Sequence, residues 1–190
     1  MGHLIIAMIA ALPVVAVVWA IAIYNRMVSL SKKRDEAWSG VLVQLKRRHD
    51  LVPNLVATVK GYAAHEQKVL EEVTKFRSFG SAGGPREVSE AERAFSKSLV
   101  RLMAIAESYP ELKADANFRD LQNSLVRVED DIQMSRRYYN GTVRDYNTLI
   151  ATFPSLLVAR GFSFRESSFF ELESPSEAET PTVSFNPRAH

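Results

Sequence analysis

Residues 118–153 read FRDLQNSLVRVEDDIQMSRRYYNGTVRDYNTLIATF, and this stretch decides the fold. Its apolar residues recur every three or four positions, which is the period of a helix that buries one stripe. The stripe consists of Phe118, Leu121, Leu125, Val128, Ile132, Tyr139, Val143, Tyr146, Ile150 and Phe153. No Pro interrupts the stretch, and Gly141 is its one Gly. A helix of this length needs a partner surface of equal length, which other long helices can supply.

The same period extends outward over residues 25–153, and no part of that range alternates like a strand. It predicts three further helices, whose stripes are Met27, Leu30, Trp38, Val41, Leu42, Leu45 and Val52; Leu55, Val56, Val59, Tyr62, Val69, Leu70, Val73 and Phe76; and Val88, Ala91, Phe95, Leu99, Leu102 and Ala106. Residues 79–85 form a glycine-rich loop before the third helix. A capping box at Ser89 and Glu92 opens that helix, and Tyr109-Pro110 closes it. We therefore predict an all-α fold, an antiparallel four-helix bundle of long helices.

Pro53 leaves two arrangements open for the first two stretches. If the chain reverses there, four helices pack side by side; if it only kinks, the first two form one rod and the bundle is effectively three-stranded. We favour reversal, because Asp50 and Asn54 are good caps for a new helix. A single helix over residues 28–79 would extend about 78 Å, much of it without a partner.

A membrane anchor is predicted at the N-terminus, over residues 1–24. In the run from Leu4 to Ile23, 19 of 20 residues are apolar and none is charged, which suffices to cross a bilayer. Pro13 should bend this helix without breaking it, while Trp19 and Tyr24 suit the headgroup layer. The alternative is a cleaved signal peptide, with Ala20-Ile21-Ala22 as the cleavage site. We favour a retained anchor, because no positive region precedes the run.

The basic residues near the span predict its orientation. Arg26, Lys32, Lys33 and Arg34 follow the span, and no Lys or Arg precedes it. The positive-inside tendency then places the long C-terminal part in the cytoplasm and the short N-terminus outside. Membrane lipid is thus the first expected partner.

Composition and motifs argue against several functions. The chain has 24 Lys and Arg against 22 Asp and Glu, too balanced for nucleic-acid binding, and no Cys for thiol chemistry. Its four His, at positions 3, 49, 65 and 190, lack the spacing of di-iron or zinc-protease sites. We expect His49 and His65 to be polar residues at a helix end or face. No catalytic, cofactor-binding or metal-binding residue is predicted, so the protein is not expected to be an enzyme.

The charged runs are expected to be structural. Lys46 and Asp50 are four apart on a helix and suit a modest ion pair. The acidic run 129–131 suits a solvated face. Asn140 and Asn147 lie one heptad apart, and they are either partly buried residues that fix helix register or exposed amides.

Residues 154–190 form a C-terminal tail. Phe162, Phe164, Phe169 and Phe170 could dock on the bundle, and we expect some of them to do so, because four free Phe close together would make an adhesive patch. The Pro-, Ser- and Glu-containing stretch 174–187 buries little and is expected to be disordered.

The run QLKRRHDLVPNLV at residues 44–56, followed by VKGY at 59–62 and His65-Glu66, closely resembles the signature of the LemA family. Glu36-Ala37-Trp38, Tyr109-Pro110-Glu111-Leu112 and Arg136-Arg137-Tyr138-Tyr139-Asn140 resemble its pattern as well. The resemblance implies a bacterial membrane protein with one N-terminal span and a cytoplasmic helical bundle. It carries over no catalytic residue, because the family has no assigned activity, and some members are linked to the membranes of magnetosomes.

The leading functional hypothesis is a non-enzymatic, membrane-anchored scaffold of the bacterial inner membrane that self-associates as a homo-oligomer or presents surface to other proteins. The alternative is an adaptor that uses residues 174–190 to deliver clients to a membrane protease or signalling protein. The candidate structural and interaction residues are Trp38, Arg47, Arg48, Asp50, Pro53, Asn54, Tyr139, Asn140 and Asn147.

Overall fold

A computed structural model describes residues 2–76 and 83–171 of the chain, and for residues 4–10 it describes the backbone alone. These ranges contain six helices and no strand, so the all-α prediction is confirmed. The helices are α1 (Gly2–Tyr62), α2 (Gln67–Lys75), α3 (Pro85–Glu107), α4 (Pro110–Ala114), α5 (Ala116–Ala151) and α6 (Ser155–Gly161).

Helix α1 passes through both of its prolines without interruption. The favoured reversal at Pro53 is therefore wrong. A proline inside a helix costs about 3 kcal/mol, but Val52, Leu55 and Val59 around it are at most 1% exposed. Burying each of these side chains contributes about 1.5–3 kcal/mol, which outweighs the proline penalty. The expected caps lie inside the helix instead, both exposed, and Asp50 pairs with Lys46 at 2.8 Å.

The chain reverses about ten residues later, in the turn between α1 and α2. Helix α2 runs back along α1, so that His49 contacts the carbonyl of Phe76. Helix α3 reverses again, and Arg101 donates to Glu72 of α2 at 3.0 Å. These helices and the first half of α5 form the antiparallel bundle, which uses only the C-terminal part of α1.

Helix α5 lies antiparallel to α1 over most of its length. Tyr62 at the end of α1 donates to Asp115 at the start of α5, and Met27 packs with Tyr146 and Ile150 at the other end. Asp115 caps α5 by accepting from the amide of Phe118 at 2.9 Å. The long helix predicted from residues 118–153 is thus confirmed, and α1 is its partner of matching length.

Helix α3 begins earlier than the capping box predicts. Gly84 in an extended conformation and Pro85 in the first turn start the helix, so Ser89 and Glu92 lie inside it. The Ser89 hydroxyl donates to the carbonyl of Pro85 at 2.8 Å. The capping-box prediction is therefore wrong, whereas the predicted end at Tyr109-Pro110 is confirmed, because α3 stops at Glu107. Residues 79–82 of the predicted loop lie outside the described residues.

The apolar N-terminal part of α1 has almost no protein cover. Among residues 11–23 the large side chains remain mostly exposed, including Leu12, Val14, Val15, Val17, Val18 and Ile21. Within the described residues, α1 is the one helix that is long and apolar enough to cross a membrane. It continues as a helix through Pro13, so the prediction that Pro13 does not break it is confirmed.

Candidate functional site

The centre of the bundle contains a buried charge cluster, formed by Arg48 and His49 of α1 and Glu92 of α3. These three side chains are between 2% and 5% exposed. Arg48 continues the buried stripe of Val41, Leu45 and Val52 at a spacing of three and four, which is why the helix turns it inward.

Arg48 joins three helices. Its guanidinium donates to the carboxylate of Glu92 on α3 and, at 2.8 Å, to that of Glu129 on α5. The same guanidinium lies 5.1 Å from the ring centroid of Phe95. A buried cation is tolerated when carboxylates and hydrogen bonds compensate its lost hydration. Arg48 thereby fixes the relative positions of α1, α3 and α5.

His49 lies between two acceptors. Its Nδ1 is 2.8 Å from the carbonyl oxygen of Phe76, and its Nε2 is 2.8 Å from Oε1 of Glu92. A carbonyl can only accept, so Nδ1 carries a hydrogen, and the Nε2–Oε1 contact requires a second hydrogen held by one of the two side chains. The imidazole also stacks on Phe95 with centroids 4.2 Å apart. His49 thus lies on a helix face, as expected from the sequence, but that face is buried, whereas His65 lies exposed in the turn before α2.

The chemistry of this cluster suits a structural role, in which the paired charges specify how the helices pack. Each charge has an opposite charge or a hydrogen-bond partner, and the cluster lies under the bundle surface rather than in an open cleft. Among the described side chains of residues 2–76 and 83–171, no three His, Asp or Glu lie close enough together to hold a metal ion. Mismatched packing of α3 on α1 would leave a buried charge unpaired, so the cluster favours one arrangement of the helices.

A second feature is the docked segment, residues 163–171, which runs along α5 after α6. Asn140 donates from Nδ2 to the carbonyl of Phe170 at 3.0 Å and accepts from its amide at 2.9 Å. Asn147 makes the same pair of bonds to Ser167, at 3.0 and 2.9 Å. The asparagines are seven helical positions apart and their targets three extended positions apart, about 10 Å in both cases, so the spacings match. The two asparagines bind the segment rather than set helix register.

Aromatic side chains hold the same segment. Phe170 is fully buried and packs on Trp38, with ring centroids 5.4 Å apart. Trp38 also contacts the ring of Tyr139 at 5.1 Å, and the Tyr139 hydroxyl donates to the carbonyl of Ser168 at 2.9 Å. Burial raises the pKa of Tyr139 to about 12.

The Phe residues of the tail divide into packed and exposed members. Phe170 is buried and Phe164 is partly buried, whereas Phe162 and Phe169 stay exposed. The segment ends against α3, where Arg93 donates to the carbonyl of Glu171 at 3.0 Å. The residues on which the disorder and adaptor hypotheses depend, 174–190, lie outside the described residues.

The remaining predicted residues lie on the surface or near the anchor. Arg47 is exposed and 3.7 Å from Asp131, while Arg48 is paired with Glu129, so the acidic run is partly paired rather than wholly solvated. Pro53 and Asn54 are exposed on α1. In the anchor, Pro13, Trp19 and Arg26 are exposed and Ile23 and Tyr24 are half-buried, while the side chain of Leu4 lies outside the described residues.

Sequence reasoning missed Glu92 and Arg34. Glu92 stands four residues after Val88 and three before Phe95, on the buried stripe of its own helix, and that spacing is the signal that could have found it. From the sequence alone, Arg34 is one of the positive charges that follow the span. In the structure it donates to the hydroxyl of Ser167 and lies 5.0 Å from the ring centroid of Tyr146, so it helps to hold the docked segment.

Comparison with known proteins gives one consistent result. The sequence model of the LemA family matches residues 37–185, which includes both the charge cluster and the docked segment. Magnetosome protein MamQ 2 of Paramagnetospirillum magneticum is 26% identical over 84% of this chain and 68% of its own length. Magnetosome protein MamQ of Magnetospirillum gryphiswaldense is 25% identical over the same shares. Protein LemA of Metamycoplasma hominis is 25% identical over 77% of this chain and 68% of its own length.

Proposed function

The chain belongs to the LemA family, and from that premise and the geometry of α1 we propose that it is a non-enzymatic, membrane-anchored scaffold. Residues 4–23 cross the bacterial inner membrane, the short N-terminus lies outside, and the bundle lies in the cytoplasm. The bundle presents its surface to other copies of the chain or to other proteins.

One observation carries this proposal: the candidate span and the bundle share a single continuous helix. Helix α1 runs from Gly2 to Tyr62 and supplies both the uncovered apolar run and the charge cluster residues Arg48 and His49. The part beyond Tyr24 is about 57 Å long at 1.5 Å per residue. A rigid rod of this kind holds a bundle at a defined distance and angle from the bilayer, which a flexible linker would not do.

The two features of the site support a scaffold rather than a moving device. The charge cluster ties α1 to α3 and α5, and the docked segment ties α6 back to α1 and α5. Both sets of contacts combine hydrogen bonds with packed, buried rings. The similarity to proteins named as magnetosome proteins fits a function at a membrane.

Mass measurement of the full chain in mild detergent, after purification from native membranes, tests the scaffold. We expect assemblies of several copies or stoichiometric co-purifying proteins. A strictly monomeric particle without bound protein would contradict the proposal. Protease added to spheroplasts, in which the outer membrane is opened, tests the orientation: an epitope at the C-terminus should survive, and its rapid loss would place the bundle outside.

A further inference from the structure

The corner between α5 and α6 lies beside the end of the candidate span. Helix α6 packs on α1 through Val158 and Ala159, which share a core cluster with Met27, and Ala20 and Ile23 pack against that cluster. The ring of Phe162, just after α6, lies 4.7 Å from the ring of Tyr24. If residues 4–23 occupy the bilayer, α6 is therefore at the level of the headgroups.

This corner leaves large apolar side chains mostly exposed on the surface of the described protein. Phe153 is 75% exposed, Leu157 is 60% exposed and Phe162 is 61% exposed. All three lie within ten residues, around one turn and one short helix. We call Phe153, Leu157 and Phe162 the corner residues.

The charges around the corner favour an anionic surface. Between Asp145 and Glu166 the chain has no acidic residue, and its two charged residues there are Arg160 and Arg165, both exposed. Arg26 of α1 is also exposed, three residues beyond the apolar run. Exposed aromatic and aliphatic side chains flanked by Arg are the composition that binds at the boundary of headgroups and acyl chains.

Other exposed apolar side chains lack this setting. Val100 on α3 is 69% exposed and Val126 on α5 is 57% exposed, but each belongs to the bundle, away from α6. Single apolar residues on a surface are ordinary and need no partner. The corner differs in that its residues are clustered, flanked by cations and level with the span.

We propose that the corner residues are a second membrane-contact site, which inserts into the headgroup region of a bilayer containing anionic lipid. The proposal rests on the proposed function, because it needs residues 4–23 to span that bilayer. With α1 crossing the membrane and the corner lying on its surface, the bundle is held at two points. These two contacts fix the tilt of the bundle relative to the bilayer. Because α5 ends at the corner, they also keep α5 packed along α1.

Because the chain has no Cys, a single introduced Cys can be spin-labelled without removing any native thiol. Phe153→Cys, Leu157→Cys and Phe162→Cys are made singly in the full chain, labelled, and reconstituted in vesicles of phosphatidylcholine and phosphatidylglycerol. Collision rates with oxygen and with a water-soluble nickel chelate are then measured. Val100→Cys and Val126→Cys are matched controls of similar exposure on the bundle, and Val15→Cys reports the span itself.

We expect the three corner labels to fall between the Val15 label and the bundle controls, with oxygen collisions raised and nickel collisions lowered relative to those controls. Corner labels as accessible to nickel as the controls, while the Val15 label is in lipid, would overturn the corner proposal and leave the anchor intact. Corner labels shielded from both reagents would indicate contact with a second copy and would also overturn it. A Val15 label accessible to nickel would overturn the anchor, and the corner proposal with it.

Discussion

At the scale of single residues, the arrangement of the bundle depends on charges buried in its interior. Removing one partner of a buried ion pair costs about 3–5 kcal/mol, because the remaining charge stays uncompensated. Glu92→Ala would leave Arg48 with Glu129 and His49 with the carbonyl of Phe76. We therefore expect this substitution to lower the free energy of unfolding by about 3 kcal/mol.

Denaturant unfolding of the full chain in detergent, followed by circular dichroism, measures this loss. Glu90→Ala is the matched control, since Glu90 is an exposed glutamate two residues earlier on the same helix. If the Glu92 and Glu90 variants had equal stability, the charge cluster would not hold the helices together.

Tyr139 predicts a pH dependence in the alkaline range. Its pKa is raised from 10.0 to about 12 by burial, so the folded state keeps the phenol protonated more strongly than the unfolded state does. The stabilisation that this provides is complete below pH 10 and is lost as the pH rises through about 12. Between these values the wild-type chain should lose stability more steeply than Tyr139→Phe. Unfolding series at several alkaline pH values measure the difference, and parallel pH profiles of the two proteins would contradict the assignment.

Glu92, Arg48 and His49 also show where residue-level prediction fails. Apolar spacing identifies the buried face of each helix, and it correctly places Val41, Leu45 and Phe95 there. It can place a charged residue such as Glu92 on the buried face, but it does not show that the charge stays buried, because the cost is met only by a partner from another helix. That partner is about 43 residues distant in sequence, and one sequence does not state which helices meet.

At the scale of elements, the continuity of α1 through Pro53 has a direct consequence. Spin labels at Val43→Cys and Lys60→Cys, both exposed positions, are separated by 17 residues of helix, or about 26 Å between Cα atoms. A reversal at Pro53 would bring them to about 10 Å, the spacing of neighbouring helices. Dipolar distance measurement should give the long separation, with and without Pro53→Ala. A short distance in the wild-type chain would contradict a continuous α1.

The docked segment should depend on the two asparagines of α5. Asn140→Ala removes two hydrogen bonds to Phe170, each contributing about 1 kcal/mol, so the segment should open roughly thirtyfold more often. Cleavage by trypsin after the exposed Arg165 follows the open population. Asn147→Ala should act similarly through Ser167, and Asn123→Ala, an exposed amide on the same helix, is the control. Unchanged cleavage in both variants would show that the asparagines do not hold the segment.

Element boundaries were predicted unevenly for a physical reason. The long helix α5 has a continuous stripe and no Pro, so its extent follows from the sequence alone. For α1, local signals at Asp50, Pro53 and Asn54 favour a break, while the burial of Val52, Leu55 and Val59 against other helices favours continuity. The second contribution depends on tertiary contacts, and it is larger than the first.

At the scale of the whole molecule, the fold joins a lipid-facing rod to a bundle through a helix shared by both. The apolar run and the all-α class are readable from composition and periodicity. The docking of α6 beside Tyr24 cannot be read from the sequence. The apolar periodicity after Pro154 is weak, so it does not indicate which helix α6 packs on. Its contact with α1 is what brings Phe162 to the end of the apolar run.

The account depends most on residues 4–23 staying attached and in the membrane. The most direct measurement is the intact mass of the protein taken from alkaline-washed membranes of cells that express it. We predict that the protein stays in the membrane fraction and that its mass includes residues 4–23. A soluble protein that begins after Ala22 would contradict the account, because α1 would then have no membrane segment.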